Sequence, residues 1–189
     1  MADEIEAKAR CADLDAVRRK LTGFGARQLR AGLERNVCFD TPDGSLRKSD
    51  SLLRLRQYGG EVLLTFKGPR KKRGAPVKNR VEVELEVSDF DKMSSLLENL
   101  GFPRVWAYEK KREEWTLGAV KVCLDTVPVL GEYVEVEAAT EGEVLSVIDR
   151  LGVPRGDITP LTHVELFGEA VGSRGRQLPD MTFKEGERE

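Results

Sequence analysis

Acidic residues recur two positions apart at Glu4/Glu6, Glu82/Glu84 and Glu135/Glu137, and basic residues do the same at Arg54/Arg56 and Lys110/Arg112. On an extended chain, residues i and i+2 share a face, so each pair presents two like charges to one side. Like charges that close repel, and the cost grows when the face is shielded from water. A cation between the acids and a polyanion between the bases would remove both costs. That combination describes a divalent metal bound to a triphosphate.

Composition narrows the setting. The chain has 189 residues, with 31 Lys and Arg against 33 Asp and Glu. Such a balance does not mark a nucleic-acid binder. The basic run Lys71-Lys72-Arg73-Gly74 has no aromatic platform beside it, so nucleic acid is not an expected partner. No apolar run approaches the roughly 20 residues needed to cross a bilayer, and the N-terminus lacks a secretory pattern. The expected setting is therefore cytoplasmic, without a membrane partner. Cys11, Cys38 and Cys123 form no CxxC and leave one over if two pair, which fits a reducing compartment. His163 is the single histidine, so a metal must rely mainly on carboxylates, pointing to Mg2+ or Mn2+.

Periodicity indicates the elements that must position these residues. Strands are expected over 3–10, 34–40, 51–58, 61–67, 80–87, 105–115, 119–125 and 132–138, with a last one over 163–167. Gly59-Gly60 reads as a hairpin turn. Amphipathic helices are expected over 13–24, 90–100 and 141–151. Residues 68–79 read as a basic loop. The expected domain covers residues 1–170, and 171–189 form a polar tail with a local anchor at Met181 and Phe183.

Sorting the strands by parity separates charge from apolar surface. Glu4, Glu6 and Lys8 oppose Ile5 and Ala7; Arg54 and Arg56 oppose Leu53 and Leu55; Glu61, Thr65 and Lys67 oppose Val62, Leu64 and Phe66. Arg80, Glu82, Glu84 and Glu86 oppose Val81, Val83 and Leu85. Lys121 and Asp125 oppose Val122 and Leu124, Glu135 and Glu137 oppose Val134 and Val136, and Glu165 opposes Val164 and Leu166. Three amphipathic helices can cover the apolar face. The charged face has two fates: an open, wet sheet surface, or the lining of a closed barrel.

These residues also carry a resemblance. The chain resembles the triphosphate tunnel metalloenzymes, or CYTH proteins, which include class IV adenylyl cyclases and thiamine triphosphatases. Their ExExK signature stands here as Glu4-Ile-Glu6-Ala-Lys8, followed by CFDTPDGSL at 38–46, LLRLR at 52–56, LTFKGP at 64–69, RVEVELEV at 80–87, EKKREEW at 109–115 and VCLDTVPVLGEYVEVEAA at 122–139. The resemblance implies an α+β fold: an eight-stranded antiparallel β-barrel, the tunnel, with helices packed outside.

It also implies roles. Lys8, Arg54, Arg56, Lys67, Lys110 and Arg112 would hold the triphosphate, with Lys111 facing out. Glu4, Glu6, Asp125, Glu135 and Glu137 would hold Mg2+ or Mn2+, and Glu82 and Glu84 would orient bases, metal or nucleophile. His163 stands where relatives often carry tyrosine, as either a hydrogen-bond donor or base near neutral pH, or a structural substitute. The expected activity is metal-dependent hydrolysis of a small triphosphate (inorganic, thiamine or nucleoside) to orthophosphate. The alternatives are conversion of ATP to cyclic AMP and pyrophosphate, and non-catalytic polyphosphate or nucleotide binding. An uncovered outer sheet face would allow a homodimer.

Overall fold

The computed structural model describes residues 2–172 and 178–188. Its sheet is built from β1 (Ala2–Arg10), β2 (Arg27–Phe39), β3 (Leu52–Tyr58), β4 (Glu61–Lys67), β5 (Lys78–Glu86), β6 (Arg104–Leu117), β7 (Val120–Val127) and β8 (Gly131–Glu137). These pair antiparallel in the order β5-β4-β3-β2-β6-β7-β8-β1, and β5 pairs again with β1, so the sheet closes. The first strand makes the closure by dividing its length. Residues from Ala2 to Glu6 face β5, and those from Glu6 to Arg10 face β8. A two-residue strand, β9 (Ile158–Thr159), continues the β5 side against Lys8 and Ala9. The charged face is therefore a barrel interior rather than an open surface.

The opposite face is covered as the alternation requires. Helices α1 (Leu14–Gly23) and α4 (Glu141–Leu151) lay Leu14, Val17, Leu21, Val144, Ile148 and Leu151 over Ala7, Val122, Leu124, Val134 and Val136. Leu21, Ile148 and Leu151 are essentially inaccessible, and each full burial contributes about 1.5–3 kcal/mol. Asp13 and Thr140 cap the two helices through bonds to Ala16 N and Glu143 N. Between them lies the short α2 (Ser45–Lys48). Helix α3 (Phe90–Asn99) covers Val37, Phe39, Leu55 and Val62 with Leu97, Met93 and Phe90.

Three boundaries depart from the pattern. Strand β2 starts at Arg27, not 34, because an irregularity between Gln28 and Arg30 breaks the period of two. Lys78 and Asn79 belong to β5 rather than to the basic loop. The largest correction concerns residues 163–167, which form the start of helix α5 (His163–Ala170), not a strand. Thr162 accepts from Glu165 N, and Glu165 returns a bond to Thr162 N, making a capping box. Five residues of alternating type do not distinguish strand from helix; the Thr-x-x-Glu spacing does.

That helix plugs one end of the barrel. Leu166 and Phe167 pack with Cys38, Trp106, Tyr108, Val127, Leu130 and Tyr133, so inward positions turn from charged to aromatic and apolar there. Residues 104–110 of β6 have no partner in β7, whose register begins at Lys111. The chain near Met181 takes that edge through Met181 N to Ala107 O (3.0 Å) and Glu109 N to Met181 O (2.9 Å). Phe183 N donates to buried Glu109. Residues 173–177 of the expected tail lie outside the described residues.

Replacing Thr162 with Ala removes one arm of the capping box. It should lower stability by about 1 kcal/mol in urea denaturation and speed amide exchange in residues 163–170. Unchanged exchange there would contradict the capped-helix description.

Candidate active site in the barrel lumen

Alternation along eight closed strands sends every second side chain inward, and the lumen holds a cavity of about 190 Å³. Among the described residues, nine Lys or Arg side chains and six Glu side chains line it. The lining therefore carries an excess of positive charge and suits an anionic ligand. One end is bounded by Trp106, Tyr108, Thr162 and His163 of the plug. At the other, Glu84, Lys121 and Glu137 are the more exposed members, with roughly a third or more of each side chain accessible.

Buried charges require partners, and here each acid is held by bases. Glu4 contacts Lys67 and Arg80. Glu6 lies 3.3 Å from Lys78, and Glu135 lies 3.1 Å from Lys8 while also touching Arg112. Asp125 takes a two-point grip from Arg112 (2.7 and 2.6 Å) and a third bond from Lys110 (3.0 Å). Arg56 reaches Glu84 at 3.3 Å, and Arg54 donates to the Tyr108 hydroxyl at 3.3 Å.

The network divides the carboxylates electrostatically. Burial, then the neighbouring Glu6, push the Glu4 carboxyl above its ordinary value despite Lys67. Burial works the same way on Glu6, but Lys78 and further cations outweigh it and hold Glu6 low. Glu135 also stays low, because Lys110, Arg112 and Lys8 overcome its burial. Burial, reinforced by Lys78, brings the Lys8 ammonium down to about 8. Burial and then Lys8 and Lys110 drive His163 well below its ordinary range. Its imidazole is therefore a weaker proton acceptor than an ordinary histidine.

Nearly all the expected site residues meet in this cavity: Glu4, Glu6, Lys8, Arg54, Arg56, Lys67, Glu82, Glu84, Lys110, Arg112, Glu135, Glu137 and His163 line it. Asp125 sits behind them, fully buried. The acids expected to share a metal do not all converge. Among the described residues, the group that comes together, with ligand atoms within 4.8 Å of one another, is Asp125, Glu135 and His163.

Sequence reasoning puts Arg80 on the charged face without a site role and leaves out Lys78, both buried and lining the cavity, and Glu34, which is fully buried among the bases. The parity of Arg80 extended back by two would have found Lys78. Glu34 opens the expected strand over 34–40 and shares parity with Asn36 and Cys38, but no like charge stands two positions away to single it out. All three cysteines are free thiols, and burial pushes Cys38 and Cys123 up to about 12.

The CYTH domain model matches residues 2–150. The chain belongs to the CYTH family. Among curated relatives, an adenylate cyclase CyaB of Aeromonas hydrophila is 31% identical over 145 residues, covering 75% of this chain and 72% of that protein. A candidate adenylate cyclase of Methanocaldococcus jannaschii is 26% identical over 174 residues, covering 87% of this chain and 98% of that protein. The solved structure of the PH1012 protein from Pyrococcus horikoshii superposes with a TM-score of 0.75 at 29% identity, covering 86% of this chain and 98% of that one.

The donor set of this CYTH lumen fits a divalent cation. Two carboxylates and a neutral imidazole converge, and His163 Nε2 is buried without a hydrogen-bond partner. Such donors suit manganese, and carboxylates with water suit magnesium. Lys110 and Arg112 already grip Asp125, so metal ligation there competes with two cations.

Arg112→Ala should therefore destabilise the fold by about 3–5 kcal/mol, since buried Asp125 and Glu135 lose a shared partner. Lys121→Ala, at the accessible Glu137 pair, should cost under about 1 kcal/mol. Urea denaturation of both variants checks the contrast; equal costs would contradict the buried network.

Proposed function

We propose that this protein acts on a nucleoside triphosphate with the help of Mg2+ or Mn2+, and that its reaction is that of an adenylyl cyclase. The observation that carries the triphosphate reading is the lumen, where an excess of bases and a set of acids face one small cavity. The cyclase form is supported by the relatives at 31% and 26% identity, both designated adenylate cyclases. It replaces the hydrolase as the leading reading.

In this proposal Arg54, Arg56, Lys110 and Arg112, with Lys8, Lys67, Lys78 and Arg80, bind the phosphate oxygens. Arginine suits this because its fork meets two oxygens at once. The ribose 3'-hydroxyl attacks the α-phosphorus, a new P–O bond forms, and the bond from that phosphorus to the α,β-bridging oxygen breaks. Pyrophosphate leaves with the electron pair, and the surrounding bases stabilise its charge. The hydroxyl proton passes to a lumen carboxylate. Glu4 Oε2 is the candidate, being buried, without a hydrogen-bond partner and raised in basicity. Glu6, Glu135 and Glu137, with Asp125 and His163, would hold the metal. When bound, the metal supplies Lewis-acid stabilisation of the phosphoryl charge. The helical plug keeps bulk water from the inner end.

Hydrolysis of a compact triphosphate is the second reading. It is favoured by the size of the cavity, about 190 Å³, below the roughly 300–1,000 Å³ usual for drug-sized ligands.

The test is product identification by phosphorus NMR after incubation with Mg2+ or Mn2+ and either ATP or inorganic triphosphate. Cyclic AMP with equal pyrophosphate is expected from ATP, abolished by a chelator and lowered at least about tenfold by Glu6→Gln or Arg56→Ala. Orthophosphate without cyclic AMP would replace the cyclase by a hydrolase. No turnover of either compound would refute both.

A further inference from the structure

Glu34 is fully buried on β2 and does not itself line the cavity, yet three cavity-lining bases surround it. Lys110 Nζ lies 3.5 Å from Oε1, Arg112 Nε 3.7 Å from Oε2, and Arg56 Nη1 3.9 Å from Oε2. Asn36 Nδ2 donates to Oε1 at 2.9 Å and fixes the carboxylate from its own strand. Oε2 has no hydrogen-bond partner. The contacts to the bases are thus ion contacts at the long end of the range, and they restrain the three cations without saturating their donors. Burial acts to raise the acid, but Lys110, Arg112 and Arg56 outweigh it and keep it ionised.

We propose that Glu34 is a positioning residue, a built-in counter-charge that holds Lys110, Arg112 and Arg56 towards the cavity and competes with the substrate's phosphates for them. The proposal rests on the triphosphate reading above and adds a role for a side chain that never touches substrate. It has a consequence a packing role lacks. Removing the charge while keeping the shape leaves three cations short of an anion, so a polyanion gains affinity. The same change loosens their aim, so turnover falls. Asn36 belongs to the device, because it fixes where the carboxylate stands.

The test compares wild type with Glu34→Gln, which preserves side-chain shape, and with Asn36→Ala, which releases the carboxylate but keeps its charge. The probe is inorganic triphosphate, followed by calorimetric Kd and by the shift in melting temperature that it produces. Glu34→Gln should bind it about tenfold more tightly and gain a larger thermal shift than wild type. On the substrate that wild type converts, Glu34→Gln should lose at least about tenfold in kcat without a rise in KM. Asn36→Ala should lower kcat with triphosphate Kd within about twofold of wild type, and it decides the matter if Glu34→Gln does not fold. Unchanged or weaker triphosphate binding by Glu34→Gln overturns the proposal, as does wild-type kcat in a folded Asn36→Ala. Binding is read independently of turnover. A wild type that binds triphosphate but converts nothing would sink the reaction proposed above while this role is still decided by the Kd comparison.

Discussion

Charges closed inside a barrel must be paired, and that constraint organises the rest of this molecule. Water cannot screen the lumen as it screens a surface, so every acid there sits against a base. Glu4 with Lys67, Glu6 with Lys78, Glu135 with Lys8, and Asp125 with Arg112 and Lys110 are the result. Such a set adds little net stability, since desolvation offsets much of the attraction. Its value lies in what it poises. In the proposed function a triphosphate would offer the bases better anions, and as they turned to it the acids would be released for a divalent cation.

The scaffold supplies that network with fixed positions. Closure runs through β1, whose two halves bond to β5 and β8. The ExExK residues are therefore the seam of the barrel, and Glu6 sits where the two pairings meet. Apolar residues of the opposite parity bind α1, α3 and α4 outside, which locks the register, because a one-residue slip would exchange charge for core. At one end α5 replaces charge with aromatic packing, and Arg70 ties it to the basic loop through Glu165 and Asp50.

Much of this was legible in the sequence wherever the period was long and clean. RVEVELEV and VEVE alternate strictly, and Glu82, Glu84, Glu135 and Glu137 do line the lumen, while Glu86 is exposed. The helices over Leu14–Gly23, Phe90–Asn99 and Glu141–Leu151 follow from apolar spacing and caps. What escaped had local causes. The irregularity between Gln28 and Arg30 hides the start of β2, and Glu34, with Gly32 and Asn36 two positions away, carries no paired-charge signal. HVELF alternates over too few residues to exclude a helix, so the capped plug was read as a strand. The approach of His163 to Asp125 and Glu135 is a tertiary fact, set by where α5 docks, and no spacing in the chain encodes it.

The most direct test of this account is a crystal structure with Mn2+ and an unreactive nucleoside triphosphate analogue, the manganese being located by anomalous scattering. The account predicts phosphate oxygens within hydrogen-bond distance of Arg54, Arg56, Lys110 and Arg112, manganese among the lumen carboxylates, and the Glu4–Lys67 and Glu135–Lys8 pairs separated. An analogue bound outside the barrel, with those pairs intact, would contradict it.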